Sequence, residues 1–338
     1  MGTKHGDEEE TSSTAAEDAS SADVGSLPEE MGPEHKLLTP EDAAGDDGQQ
    51  RGRPLVIFFH GSGESCESWE ALARTLTSDP YRLRVLMYNR GPLRPKPPQA
   101  TEELRGYLRA EGLAGPYVLV AHSYGGAFAR MFLEEEEEEE GEEGGDAAAE
   151  GYAGKDVVGV VLVETGQEGG LDAKVEERQY ERRVLGRRPL SVVSGNSLLR
   201  MWRELDKAEA TVDVADTLKR EDLKKRKEML EVWEKADEEM KRKQLDLVSR
   251  RGTKRYVHVP DVGHDVERDR PDVVAREVAW VIENMAGDGG EESEGEEEGA
   301  DEQRLCQEGR DRGWKGVGKG LWEVYKKMFG RFFFKAKK

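Results

Sequence analysis

Cysteine is almost missing from this chain of 338 residues: there are two, Cys66 and Cys306, in regions of different character. That count excludes a disulfide framework and a thiolate metal site. Long apolar runs are missing as well, none approaching the roughly 18 residues of a membrane-spanning helix. No apolar run follows the opening MGTKHGDEEE, so a secretory leader is not expected. Gly6 stands where N-terminal acylation needs Ser or Thr, and a reduced, cytoplasmic setting is the expectation.

Positive charge is also in short supply, with 51 Lys plus Arg against 72 Asp plus Glu and a net charge of −21. Its distribution decides what that means. Residues 1–50, 134–150 and 286–303 together carry −32, residues 304–338 carry +8, and what is left is close to neutral. The acidity therefore belongs to tails and an insert, and not to a folded surface. Residues 1–50 hold almost no large apolar side chain and are expected to be disordered. The same holds for the insert 134–150, whose like charges repel, and for the acidic linker 286–312. One domain, 51–285, remains between them, interrupted by the insert and large enough for a sizeable core.

Within that domain, short apolar runs alternate with amphipathic ones. Leu55–Phe59, Arg84–Tyr88, Tyr117–Val120, Val157–Val163, Leu190–Val193 and Tyr256–Val259 read as strands buried on both faces. The segments between most of them have helical period, as in Trp69, Leu72, Ala73 and Leu76. This predicts an α/β fold with a mostly parallel sheet of about six strands and helices on both faces. The charged stretch Ser197–Arg250 predicts two or more helices with solvated faces laced by i,i+4 pairs. Glu221, Asp222 and Glu228 flank the basic run Lys224–Lys227, so no nucleic-acid partner is expected.

The strand at Tyr117–Val120 runs into Ala121-His122-Ser123-Tyr124-Gly125-Gly126 and then a helical pattern. A strand, a sharp turn with Ser at its apex and a helix make a nucleophile elbow, with Ala121 in place of the usual first Gly. Three further pieces accompany it: His60-Gly61-Ser62-Gly63 after the first strand, Tyr88-Asn89-Arg90-Gly91 after the second, and Gly263-His264 after the last. With these the chain resembles the α/β-hydrolase superfamily, in its serine branch, from about Pro54 to Met285.

The resemblance implies Ser123 as nucleophile and His264 as general base. It also implies the backbone amides of Ser62 and Tyr124 as donors to an oxyanion. The acid is less direct. The loop after Leu190–Val193, where this fold usually carries it, reads Ser194-Gly195-Asn196-Ser197 and has no carboxylate. Glu164 ends the apolar run Val157–Val163; a carboxylate there caps the strand, faces solvent or orients a histidine, and the last is the reading adopted, with Asn196 and Asp206 as fallbacks. His122 adjoins Ser123 but is expected to point elsewhere, His60 to be structural, and His5 and His35 to lie in disordered sequence. The fold normally opens with an antiparallel hairpin, and nothing in residues 1–53 is expected to supply it, so the sheet is expected to be reduced at its N-terminus.

The implied activity is hydrolysis of an ester, thioester or related acyl bond of a small-molecule substrate, with no metal and no organic cofactor. The alternative is an inactive hydrolase-like scaffold, favoured by the missing carboxylate near Asn196 and the reduced sheet. A separate expectation attaches to residues 313–338, where Leu321, Trp322, Tyr325, Met328, Phe329, Phe332 and Phe333 oppose Lys326, Lys327, Arg331 and Lys335 on a helix. Such a basic amphipathic segment suits peripheral contact with an anionic membrane, or docking on the domain or the acidic tracts. Gly313–Gly320 resembles a phosphate loop but lacks its hydroxyl residue and a preceding strand.

Overall fold

The computed structural model describes residues 35–40, 52–90, 95–134, 155–166 and 170–285. Seven strands form one sheet: β1 (Lys36–Leu38), β2 (Leu55–Phe59), β3 (Arg84–Tyr88), β4 (Tyr117–His122), β5 (Val157–Val163), β6 (Leu190–Ser194) and β7 (Lys254–His258). Their order is β1-β3-β2-β4-β5-β6-β7. All neighbours are parallel except β1, which runs antiparallel to β3 with Leu37 opposite Leu86. The eight α-helices among the described residues are α1 (Glu70–Thr77), α2 (Pro97–Ala110), α3 (Gly125–Phe132), α4 (Ala173–Arg182), α5 (Leu199–Thr211), α6 (Thr217–Lys243), α7 (Val266–Asp269) and α8 (Pro271–Glu283).

The strands are aliphatic throughout because both faces are covered. Alternate residues of β2 point to opposite sides: Leu55, Ile57 and Phe59 join a core with Leu104, Phe128 and Phe132 of α2 and α3. Val56 and Phe58 join a second core with Leu72 of α1 and Val274, Val278 and Val281 of α8. Trp69 stacks on Phe58 in that second layer at 4.6 Å between ring centroids. No helix among the described residues is long and apolar enough to cross a membrane.

Three expectations are corrected at the edges of the domain. Residues 36–38 lie in the stretch expected to be disordered, yet they pair as β1, so the sheet has seven strands and an antiparallel edge. His35 beside them accepts a hydrogen bond from the Asn89 amide at 3.2 Å and packs edge-on against Tyr107 at 4.4 Å. A short run of Lys36, Leu37 and Leu38 is enough because an edge strand needs pairing on one side only. Glu134, placed at the head of the acidic insert, belongs to the fold: it is buried, pairs with Arg178 at 2.6 Å and accepts from the Gln179 amide at 2.7 Å. The rest of the insert, most of residues 1–50, the linker 286–312 and the amphipathic segment 313–338 lie outside the described residues.

Candidate active site

The carboxyl ends of the parallel strands bring the candidate residues together. β4 leads into Ser123, which takes φ +52°, a left-handed conformation that costs a non-glycine residue on the order of 1–3 kcal/mol. The turn is held by hydrogen bonds from the Ser123 amide to the Val163 carbonyl at 3.1 Å and from the Gly126 amide to the Ser123 carbonyl at 2.9 Å. It also needs glycine beside it. A Cβ on Gly125 would lie 2.0 Å from the Phe59 carbonyl oxygen, so α3 crosses β2 too closely for any side chain there. Ser123 itself is only 6% exposed.

Glu164 follows β5, the neighbour of β4, and likewise has positive φ, +50°. It is fully buried. Its Oε2 lies 3.2 Å from His264 Nδ1, on the loop after β7, so the two residues named from different ends of the domain meet. Oε2 also accepts from Ser197 Oγ at 2.8 Å, while Oε1 accepts from the Gly195 amide at 2.6 Å and Lys241 Nζ at 2.5 Å. Burial pushes this carboxyl up, but the Lys241 ammonium and the His264 ring outweigh it and hold Glu164 well below the usual carboxylate range. Lys241, buried alike, would be pushed down by desolvation and is instead held above the usual range by Glu164 and Asp237.

The loop after β6 thus has a different part from the one it usually has. Lacking an acid, Ser194–Ser197 supplies donors to the acid that stands on β5. The fallbacks are placed elsewhere: Asn196 donates to Glu234 Oε1 at 3.3 Å and caps the Leu198 amide at 3.0 Å, and Asp206 is exposed on α5. The register of β2 on β4, with Phe59 beside Ala121, brings the loops carrying Ser62 and Tyr124 out side by side. The Gly61 amide is bonded to Glu64 Oε2 at 2.9 Å, and Arg90 donates to the Gly61 carbonyl at 2.8 Å. His60, with Arg90 against its ring, is lowered to about 4 by burial first and Arg90 second, which fits its structural part.

Two residues of the site escaped sequence reasoning. His122, set aside because it adjoins the nucleophile, does point away from Ser123, but toward the base: its Nε2 lies 3.0 Å from the His264 carbonyl and the two rings are 4.8 Å apart. Glu64 stands 3.4 Å from its Nδ1 and Glu267 3.3 Å from its Nε2. Desolvation would lower His122, yet the bond to Glu64 and the charge of Glu267 raise it to about 9. Glu64, Glu267 and His122 each bring a metal-ligand type of atom within 4.8 Å of one another. The two ring nitrogens face different carboxylates, however, so the His122 ring itself stands between them. The second missed residue is Lys241. Leu223, Leu230, Asp237 and Gln244 recur every seven residues and are all buried, so this spacing was the signal that one face of the charged segment turns inward.

The model of a family described as Alpha/beta hydrolase family matches residues 56–277. A protein of Hormonema carpetanum named as the probable transporter efuK is 24% identical over 288 residues, 69% of this chain, and the chain spans only 40% of that protein's length. Among solved structures, an esterase of Thermogutta terrifontis is similar over 75% of this chain and 94% of its own, with 15% identity and a TM-score of 0.39. A dienelactone hydrolase of Anabaena variabilis is similar over 75% and 92%, with 14% identity and a TM-score of 0.41.

Proposed function

Since the chain belongs to the alpha/beta hydrolase family, we propose that it is a serine hydrolase cleaving an ester, thioester or related acyl bond through an acyl-enzyme on Ser123. The observation that carries this reading is the 3.2 Å contact between His264 Nδ1 and the buried Glu164, made by the residues expected as base and acid. An imidazole oriented through Nδ1 can carry out proton transfer through Nε2. In this mechanism the Ser123 hydroxyl attacks the substrate carbonyl as His264 takes its proton. The amides of Ser62 and Tyr124 stabilise the resulting oxyanion, the second aided by the start of α3. His264 then protonates the leaving group, and a water activated by the same ring releases the acid and frees the serine.

The two grounds for the inactive-scaffold alternative are weaker than the sequence suggests, because a carboxylate, Glu164, lies 3.2 Å from His264 Nδ1 and β1 supplies an antiparallel edge strand. The test is labelling of the full chain with a fluorophosphonate probe. Wild type is expected to label and Ser123→Ala to lose labelling entirely. An unlabelled wild type would sink the enzyme reading, and labelling that survives in Ser123→Ala would move the nucleophile elsewhere.

A further inference from the structure

We infer that Lys241 is a positioning residue for the proposed triad, clamping the Glu164 carboxylate from the side opposite His264 and setting how strongly the acid–base pair holds its proton. The inference rests on the serine-hydrolase reading. Lys241 is the 25th of the 27 residues of α6 and is 0% exposed. Its Nζ lies 2.5 Å from Glu164 Oε1, 2.7 Å from Asp237 Oδ2 and 3.1 Å from Ser197 Oγ. Burying an ammonium costs several kcal/mol, and replacing such buried pairs by apolar residues is often neutral or stabilising. Stability is therefore a poor reason for a lysine here.

Geometry gives a better one. Lys241 and His264 bind different oxygens of Glu164, so the cation does not compete with the imidazole. The last turn of α6 and the residue that follows it hold two successive residues at the end of β5: Lys241 takes Glu164, and Gln244 takes Thr165, donating to its carbonyl at 2.9 Å and accepting from its Oγ1 at 2.7 Å. Glu164 is thereby kept in its left-handed conformation with one oxygen turned toward His264. The clamp comes from the long charged segment between β6 and β7, which ties that segment to the acid.

Charge makes the inference measurable. Around the pair stand His122, Glu64 and Glu267 behind His264, and Asp237, Glu234, Glu238, Tyr256 and His258 around the Ser194–Asn196 loop. Removing the Lys241 charge strengthens the hold of the Glu164–His264 pair on a proton, whichever of the two carries it. Removing the Asp237 charge leaves more of the Lys241 cation acting on Glu164 and does the opposite.

The rate of fluorophosphonate labelling of Ser123 is to be followed against pH for the full chain. In Lys241→Met the acid limb is expected to move to higher pH by about one unit, about a tenfold slower reaction on that limb, with the high-pH plateau less affected. In Asp237→Asn the limb is expected to move to lower pH. Shifts of opposite sign are not a consequence of loosened packing. If Lys241→Met does not fold, the direction of the Asp237→Asn shift decides alone. Profiles that coincide with wild type, or shift the same way in both variants, overturn the inference while labelling remains dependent on Ser123. Loss of that dependence overturns the hydrolase reading instead.

Discussion

Five donors converge on the Glu164 carboxylate: Ser194 Oγ, the Gly195 amide and Ser197 Oγ of one loop, Lys241 Nζ and His264 Nδ1. All five read it as an anion, so an isosteric amide cannot satisfy them. In Glu164→Gln one end of the side chain presents an N–H to a donor, and the imidazole loses the partner that fixes its tautomer. A labelling rate about 10³–10⁴-fold below wild type is expected, the size of loss seen when a triad acid becomes an amide. The measurement is made on protein whose near-UV circular dichroism matches wild type, since a buried Lys241 left with Asp237 as its one carboxylate also costs stability; a rate equal to wild type would remove Glu164 from the proposed triad. Ser123 and His264 were legible as candidates because motif and chain order announce them. Glu164 was legible only as a charge ending an apolar run, with its partner supplied by the family resemblance. Lys241 was not, because within a segment of alternating Lys and Glu a buried cation looks like its exposed neighbours Lys224 and Lys225, which pair with Glu228 and Glu221.

At the scale of elements, six strands were readable to within about two residues of their ends, because a sheet covered on both faces leaves continuous aliphatic runs that loops do not imitate, while the helices were readable by period and not by boundary. β1 was not readable, since three residues at an edge need pairing with β3 but no burial pattern of their own. The elbow is where element geometry is least forgiving, and two glycines show the contrast. Gly125 sits where α3 crosses β2, with the Phe59 carbonyl oxygen 2.0 Å from any added Cβ, and backbone cannot give way as a flexible side chain can. Gly106 lies inside α2 with nothing within 4 Å of an added Cβ and no positive φ. Gly125→Ala is therefore expected to destabilise by at least about 1–3 kcal/mol and to abolish labelling. Gly106→Ala is expected to stabilise by roughly 0.5–1 kcal/mol through helix propensity alone. Urea denaturation of both variants checks the pair, and similar midpoints would mean that the crossing has slack the packing does not suggest.

For the whole molecule, the net charge of −21 does not by itself say how stability depends on pH, because only groups whose pKa differs between folded and unfolded chains contribute. Buried groups decide instead. Glu64, lowered to about 2 by its bond to His122 despite burial, and Glu164, lowered further, contribute stability that is present above the ordinary value of 4.5 and lost as pH falls through their folded values. Glu267 works in the opposite sense. Both its oxygens are buried without a hydrogen-bond donor, and burial raises it to about 7 against the pull of His122. Its contribution is therefore complete below 4.5 and lost as pH rises through about 7. His122, raised to about 9, adds stability that is complete below 6.5 and lost as pH passes 9. His60, lowered to about 4, adds stability that is present above 6.5 and lost as pH falls through 4, and with it these groups place the maximum of stability between about pH 5 and 6, with a decline toward alkaline pH. Glu267→Gln removes one step of that decline. It is expected to match wild type at pH 4.5 and to exceed it at pH 8 by on the order of 1–3 kcal/mol, a melting temperature several degrees higher. The remaining alkaline loss, that of His122, is expected to be smaller and to end at lower pH, because the ring no longer has a second carboxylate to sustain its charge. Thermal melts of wild type and variant at intervals from pH 4 to 10 make the comparison; a difference between them that stays constant from pH 4.5 to 8 would show that Glu267 does not change its charge across that range.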